Sequence, residues 1–333
     1  MSKNIFAVIL FSFLVASVQP VLAWGVWGHQ HINKAAIFAL PPEEGVFFYN
    51  HADFITEEAV VPDIRKHAIN DKAEPNRHYI DLEGFNYKSW EDMPQTLSAA
   101  IEKFSNDTVQ KYGILPWYII DMTDKLTKAF KEKSKTEILF LAADLGHYLG
   151  DATMPLHTSL NHDGQFTDQK GIHSFWEAQL PEIFGDNYNL NTGEAHYVDD
   201  IKKTVWTMIA HTHSLVDTLL LADRQLKESF PKDKIYVMDS AGKIARNKYN
   251  QPIHTREYSQ KYHELLNGMV EKQMRTAIAA TADFWYTAWV NAGKPDLSVL
   301  DPESLTERNK HFYKEDKKAW EKGSVTEVKN NEF

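Results

Sequence analysis

The chain has 333 residues, 43% of them hydrophobic, 12% aromatic and 25% charged, a composition that builds a packed core and excludes disorder or low complexity. With 36 Lys and Arg against 46 Asp and Glu, its formal charge is −10, so it lacks the overall basic character with which proteins hold duplex nucleic acid. It contains no cysteine, which removes disulfides, thiol nucleophiles and every zinc site built on thiolates. The 15 histidines are the feature to explain.

Lys3, an apolar run over 5–18, Pro20 and the compact Val21-Leu22-Ala23 have the layout of a secretory leader (residues 1–23) cut after Ala23. The run is shorter than the ~20 residues a spanning helix needs. The expected product begins at Trp24, carries a formal charge of −11 once Lys3 is gone, and resides in the periplasm or outside the cell. Helical periodicity then predicts a helix over 31–40, where Ile32, Ala35, Ala36 and Ala39 share a face and Pro41-Pro42 ends the pattern. Further helices are predicted over 97–104, 114–130, 136–150, 172–183, 200–223 and 264–292, the last stopped by Gly293 and Pro295. One strand-like stretch, 235–238, is turned by Asp239-Ser240-Ala241-Gly242 toward 243–249 as a hairpin. The fold class is therefore all-α: a single multi-helix domain over 24–302 with a small hairpin insertion, then a charged C-terminal tail over 303–333, expected to be solvated from Lys314 onward.

The densest chemical signal is His147-Tyr-Leu-Gly-Asp151-Ala-Thr-Met-Pro155-Leu-His157, followed by His173-Ser-Phe-Trp-Glu177. His147 and Asp151 are four apart on a predicted helix and share a face, and His173 and Glu177 repeat the arrangement on the next. Imidazole with carboxylate suits zinc, and bundled helices can aim both inward. Pro155 should end or kink the helix and turn His157 away from Asp151, giving room for two different ions. Asp144, three residues before His147, stands where a carboxylate could orient an imidazole from behind. Either pair alone is as readily an ordinary surface ion pair; together, with His157 between them, they point to metal. His211-x-His213 does not, because residues two apart on a helix diverge. His31, His51, His67, His162, His196, His211, His213, His254 and His263 are read as surface or hydrogen-bonded core residues.

Two more segments complete a pattern: Val61-Pro62-Asp63-Ile64-Arg65 ahead of Asn76-Arg77-His78-Tyr79-Ile80, and Trp24-Gly25-Val26-Trp27-Gly28-His29 at the expected new terminus. From Trp24 to about Ala292 the chain resembles the superfamily of zinc-dependent phospholipases C and the single-strand-specific nucleases of plants, fungi and bacteria. Members begin the mature chain with Trp and use its α-amine and carbonyl as metal ligands. The resemblance implies the fold of that superfamily and three zinc ions (Zn2+). Asp63, His78, His147 and Asp151 would hold one; Trp24, His29 and Asp151 a second, with Asp151 bridging; His157, His173 and Glu177 the third.

The resemblance implies hydrolysis of a phosphodiester by a metal-activated hydroxide. Asp63 and Asp151 are the catalytic carboxylates, with Asp63 the candidate base. Arg65 or Lys66 would steady phosphate oxygens, and Tyr79 would stack a nucleobase. Tyr148, Phe175 and Trp176 flank proposed ligands and are read as stacking or packing groups. The leading expectation is a monomeric secreted nuclease acting on single-stranded RNA or DNA, without a stable protein partner; the alternative is a phospholipase C acting on phosphatidylcholine-type lipids. A metal-binding protein without catalysis is the weakest reading, since a structural zinc keeps a closed four-ligand shell. The short interval from Trp24 to His29 resembles the nucleases. Glu177 where nucleases typically have Asp, the compact interval from His157 to His173 without Gly-Gly-Asn, and the lack of cysteine depart from them, and the glutamate resembles the phospholipases.

Overall fold

The structure, a computed structural model, describes residues 24–69, 71–248, 250–325 and 328; the expected leader lies outside them. Helix α1 (Gly25–Ala39) is the axis of the fold and is buried almost all round, which is why its sequence mixes Ile and Ala with buried His29, His31 and Asn33 instead of showing one apolar stripe. Pro42 and Pro62 occupy first-turn positions of α2 (Pro42–Asn50) and α4 (Val61–Ala68), with α3 (Ala52–Glu58) between them, where the missing N–H costs no helical bond. Thr96 and Ser105 cap α5 (Leu97–Phe104) and α6 (Asn106–Tyr112) by accepting backbone N–H groups. The long pair α7 (Leu115–Glu132) and α8 (Lys135–Asp151) is joined through Lys133, whose φ is 53°, and packs as a helical hairpin, with α8 against α1.

The predicted helix over 172–183 is a composite. A single turn, α9 (Ile172–Ser174), widens into a π turn (Phe175–Gln179) before α10 (Leu180–Phe184). The stretch predicted as one helix over 200–223 breaks at Ser214-Leu215 into α11 (Ile201–His213) and α12 (Val216–Ser229). That predicted over 264–292 is divided into α13 (Arg256–Leu265) and α14 (Met269–Asn291), separated at Gly268, whose φ of 74° a side chain rarely adopts. α14 lies against α1, α7 and α8 and completes the core.

The C-terminal segment corrects an expectation. Residues 314–321 do not fray but continue α15 (Glu303–Glu321), which packs on α2. Tyr313 and Trp320, seven residues apart and so on one face, are buried beside Phe38. The charges that made the segment look solvated lie on the other face, and the packed body extends past residue 302. The hairpin expectation holds in part: residues 235–254 form isolated antiparallel bridges, Tyr236 with His254, Met238 with Ile244 and Arg246 with Pro252, so a third segment joins the two foreseen. Among the described residues no helix is long and apolar enough to cross a membrane, and the architecture is all-α with almost no strand.

Candidate metal centre

Two glycines let α1 and α8 approach. A Cβ on Gly146 would lie 2.0 Å from Asn33 Oδ1, and one on Gly150 would lie 3.1 Å from His29 Nδ1. The close approach puts His29 of α1 against His147 of α8, rings stacked with centroids 3.9 Å apart, and places Asp151 at the C-terminus of α8, fully buried. The helix ends there because the Trp24 indole N–H (2.7 Å) and the Thr153 hydroxyl (2.8 Å) take the Gly150 carbonyl. Pro155 then opens a short turn (Pro155–Thr158) that carries His157. Asp63 comes from the first turn of α4, His78 comes directly after the turn Pro75–Arg77, and α9 with its π turn supplies His173 and Glu177.

These residues converge into three groups, each with its ligand atoms within 4.8 Å of one another: His29, His147 and Asp151; Asp63, His78 and His147; and His157, His173 and Glu177. Asp151 faces two ways. Its Oδ2 lies 2.9 Å from His78 Nδ1 and 3.3 Å from His147 Nε2, while Oδ1 lies 3.6 Å from His29 Nε2 and 3.9 Å from His157 Nδ1.

The hydrogen bonds behind the imidazoles decide what faces inward. His147, His157 and His173 each donate Nδ1–H to a backbone carbonyl, of Ala59 (2.7 Å), His78 (2.5 Å) and His162 (2.7 Å). A carbonyl only accepts, so each neutral ring presents an Nε2 lone pair to the site. His78 is held the other way round, donating Nε2–H to Glu74 at 3.1 Å and presenting Nδ1. Consequently His147 Nε2 and His78 Nδ1 stand 3.0 Å apart, and His157 Nε2 and His173 Nε2 stand 3.2 Å apart with Glu177 Oε2 3.0 Å from the latter. Lone pairs and carboxylates facing one another at these distances can hold a cation between them. Both ring nitrogens of His29, together with Asp151 Oδ1 and Glu177 Oε1, are buried without a hydrogen-bond partner, an expensive condition for polar atoms and one that coordination removes. The groups present therefore fit metal ions.

Electrostatics divide: burial lowers His147, but Asp151 and Asp63 outweigh it and raise it above the ordinary imidazole value. Burial, and then His147 beside it, hold His29 well below the ordinary imidazole value, hence neutral. Burial pushes Asp151 up, but His147 and His157 outweigh it and hold it well below the usual carboxylate range. Glu177, which also accepts the Trp24 backbone N–H at 3.1 Å, is pushed up to about 8 by burial, against the hydrogen bond to His157. Lys66 Nζ lies 2.5 Å from Asp63 Oδ1 and supplies one positive charge at the edge of the cluster.

Of the residues read from sequence, His29, Asp63, His78, His147, Asp151, His157, His173 and Glu177 all meet. Trp24 meets them through its backbone N–H to Glu177; a peptide nitrogen has no lone pair to give, so a ligand role there requires a chain that starts at Trp24. Arg65 does not face the centre: its Nη2 and Nη1 pair with Asp144 at 2.6 and 3.2 Å, and its Nε with Glu74 at 3.2 Å. Asp144 accordingly holds Arg65 and not the His147 imidazole, whose Nδ1 is taken by Ala59.

The orienting carboxylate is Glu74, buried, receiving His78, Tyr148, Arg65 and Arg77, and missed by sequence reasoning. Its one signal was its place four residues before His78. Tyr148 is therefore a supporting hydroxyl beneath the centre, Trp176 tilts against Trp24 at 5.1 Å, and Phe175 stacks on His254 at 3.7 Å.

His157 and His173 open into a cleft of about 390 Å³, also lined by Tyr79, Asp81, Lys111, Leu156 and His162. Tyr79 is half-buried and donates its hydroxyl to the Lys111 carbonyl at 3.2 Å. Burial, with Glu83 adding to it, pushes Asp81 up to about 7, so near neutrality it is divided between a hydrogen-bond donor and an acceptor. Asp81, Lys111 and His162 were not singled out from sequence; Asp81, three residues after His78, was the one within reach of such a reading.

Compared with known proteins, the chain matches no family model and no curated protein.

Proposed function

We propose that the chain is a zinc-dependent phosphodiesterase of the phospholipase C and single-strand nuclease type, acting on single-stranded RNA or DNA. The observation that carries this reading is three adjoining ligand groups, two of them sharing His147 and all within 4 Å of Asp151 or of each other's ligands, with the third opening into a cleft. Mixed imidazole and carboxylate donors in buried, tautomer-fixed positions suit zinc, and the three groups correspond to three ions. Zinc bound there supplies Lewis acidity, activating water and neutralising the charge of a phosphoryl group.

The chain's own residues do the rest. Glu74 and the carbonyls of Ala59, His78 and His162 lock the imidazoles before substrate arrives, so no reorganisation is needed during the reaction. Asp63, whose Oδ1 lies 2.5 Å from Lys66 Nζ, is the carboxylate we assign to take a proton from water. In the cleft, Tyr79 offers a ring face and Asp81 both a donor and an acceptor for the edge of a stacked base, while Lys111 supplies the cation for a neighbouring phosphate. Lys66, turned toward Asp63, is the second such cation; Arg65, committed to Asp144 and Glu74, is not.

A phospholipase C reading is favoured by Glu177 and the compact interval from His157 to His173. Initial rates on a single-stranded RNA and on phosphatidylcholine, measured side by side with and without chelator, separate the two. Chelator-sensitive cleavage of RNA with lipid untouched supports the nuclease. The reverse pattern supports the phospholipase, and no hydrolysis of either by zinc-loaded protein refutes both. Asp151→Asn should lower turnover at least ~100-fold, because one substitution weakens adjoining metal groups together; near-normal turnover with full zinc would refute the assignment.

A further inference from the structure

Residues 235–254 project from the helical body as a small β arm, and nothing in the proposed chemistry uses it. Its centre is a ring of three backbone hydrogen bonds: Val237 N–H to the Ile253 carbonyl (2.8 Å), Ile253 N–H to Ala245 (3.0 Å) and Ala245 N–H to Val237 (2.7 Å). Three segments thereby brace one another in a unit too small to have a core. The base is anchored: His254 is buried, stacks on Phe175 at 3.7 Å, and exchanges backbone hydrogen bonds with the Gln179 side chain (2.8 and 3.1 Å). Phe175 and Gln179 belong to the π turn that carries Glu177, so the arm is fixed rigidly to the third ligand group.

The outer part has the opposite character. Val237, Met238 and Ile244 are 39%, 52% and 38% exposed, and Met238 and Ile244 are a directly paired bridge, so their side chains share a face. Around them stand exposed Lys234, Lys243 and Arg246. Residues 232–248 hold five cations and two carboxylates, a net +3 within a chain of −10. The Asp239 carboxylate is turned inward to its own turn, accepting the N–H groups of Ala241 and Lys243 at 2.9 Å each.

We infer that this arm docks the protein on an anionic lipid bilayer, with Met238 and Ile244 entering the interface and the flanking cations facing phosphate headgroups. The charge sign selects an acidic surface, since residues 232–248 carry a net +3 in a chain of net −10. The apolar tip selects a bilayer over a polynucleotide, whose backbone offers no apolar layer for Met238 and Ile244 to enter. The inference does not depend on the identity of the hydrolysed substrate.

The test uses the chain from Trp24 onward, which carries the whole described body, zinc-loaded. Its co-sedimentation is measured with vesicles of phosphatidylcholine alone and of phosphatidylcholine with phosphatidylglycerol. Binding should be confined to the phosphatidylglycerol vesicles and should weaken with salt. Met238→Ser/Ile244→Ser should reduce it at least ~10-fold, and Lys243→Glu/Arg246→Glu by roughly 5-fold or more per charge removed. Both variants should keep the parent's zinc content and melting temperature, since the altered side chains are exposed. No binding to phosphatidylglycerol vesicles, or binding that the serine variant leaves intact, would overturn the inference. So would charge reversal that weakens binding to a single-stranded RNA oligonucleotide while leaving vesicle binding unchanged.

Discussion

Glu74→Gln tests the claim that the centre is built from behind. Glu74 is buried and receives four donors, His78 Nε2–H at 3.1 Å and the Tyr148 hydroxyl on Oε1, Arg65 Nε–H at 3.2 Å and Arg77 Nη1–H at 2.8 Å on Oε2. Glutamine offers one acceptor oxygen, so two donors lose their partner and meet an amide NH2 that can only donate. A buried donor left unmatched costs about 1–3 kcal/mol, and the arginines, being partly exposed, turn to water at the low end of that range. The expected loss is therefore about 2–4 kcal/mol, read by urea unfolding with chelator present.

The second effect falls on His78, whose Nε2–H then donates to a neutral amide oxygen in place of a carboxylate. Removing such a partner lowers metal affinity roughly 10–100-fold, read by competition with a chromophoric zinc chelator. Asp144→Asn is the control, because Asp144 holds Arg65 at 2.6 Å and touches no ligand: it should lower stability and leave zinc affinity within about threefold. If Glu74→Gln lowered stability but bound zinc like the parent, Glu74 would be an ion-pair hub only, and its orienting role would be refuted.

Other substitutions probe the helix packing and a second buried carboxylate. Gly146→Ala drives a Cβ to 2.0 Å from Asn33 Oδ1, whose amide is tied to the Ala143 and Ile55 carbonyls at 3.0 and 3.3 Å. The helices must separate, at about 1–3 kcal/mol by urea unfolding, and a change below ~0.5 kcal/mol would disprove the close approach. Glu44 is buried without any hydrogen-bond partner, and burial raises its carboxyl well above the ordinary value. A raised carboxyl binds its proton more tightly in the folded chain, so its contribution is complete below the unfolded value and is lost as pH rises toward the folded one, at up to ~1.4 kcal/mol per pH unit. Glu44→Gln should remove that slope, raising the melting temperature at pH 8 more than at pH 4; equal shifts at the two pH values would show that Glu44 is not titrating.

Much of the centre was legible because it was local. His147 with Asp151 and His173 with Glu177 are four apart, and helical geometry alone places such residues together. The arrival of His29, Asp63 and His78 at the same point is tertiary, and only the resemblance to a known superfamily anticipated it. Glu74 was invisible for a different reason: a carboxylate four residues before a histidine is common, and what makes it specific is the pair of arginines arriving from α4 and from the turn beside His78. The break at Ser214-Leu215 was hidden by an apolar stripe that continues through it. Helix α15 was hidden by composition, because Tyr313 and Trp320 carry its packing within a run of lysines and acids.

The division of the centre between rigid and open elements bears on how it works. The groups around Asp151 sit on α1, α4, α8 and the turn just before His78, and Gly146 and Gly150 remove side chains so that imidazoles and carboxylates fit between the α1 and α8 backbones. Such a site tolerates little adjustment, which suits positions that must be set before substrate arrives. The third group sits on a short turn and a π turn, the less regular elements, and it is this one that opens into the cleft with Tyr79 and Asp81. π turns recur at functional sites because the extra residue re-aims a side chain that a regular helix would direct elsewhere; here the wider turn brings Glu177 Oε2 to 3.0 Å from His173 Nε2 while Trp176 remains against Trp24. The proposed chemistry at the cleft thus rests on the less regular elements, held in place by His162 behind His173 and by Gln179 beneath the β arm.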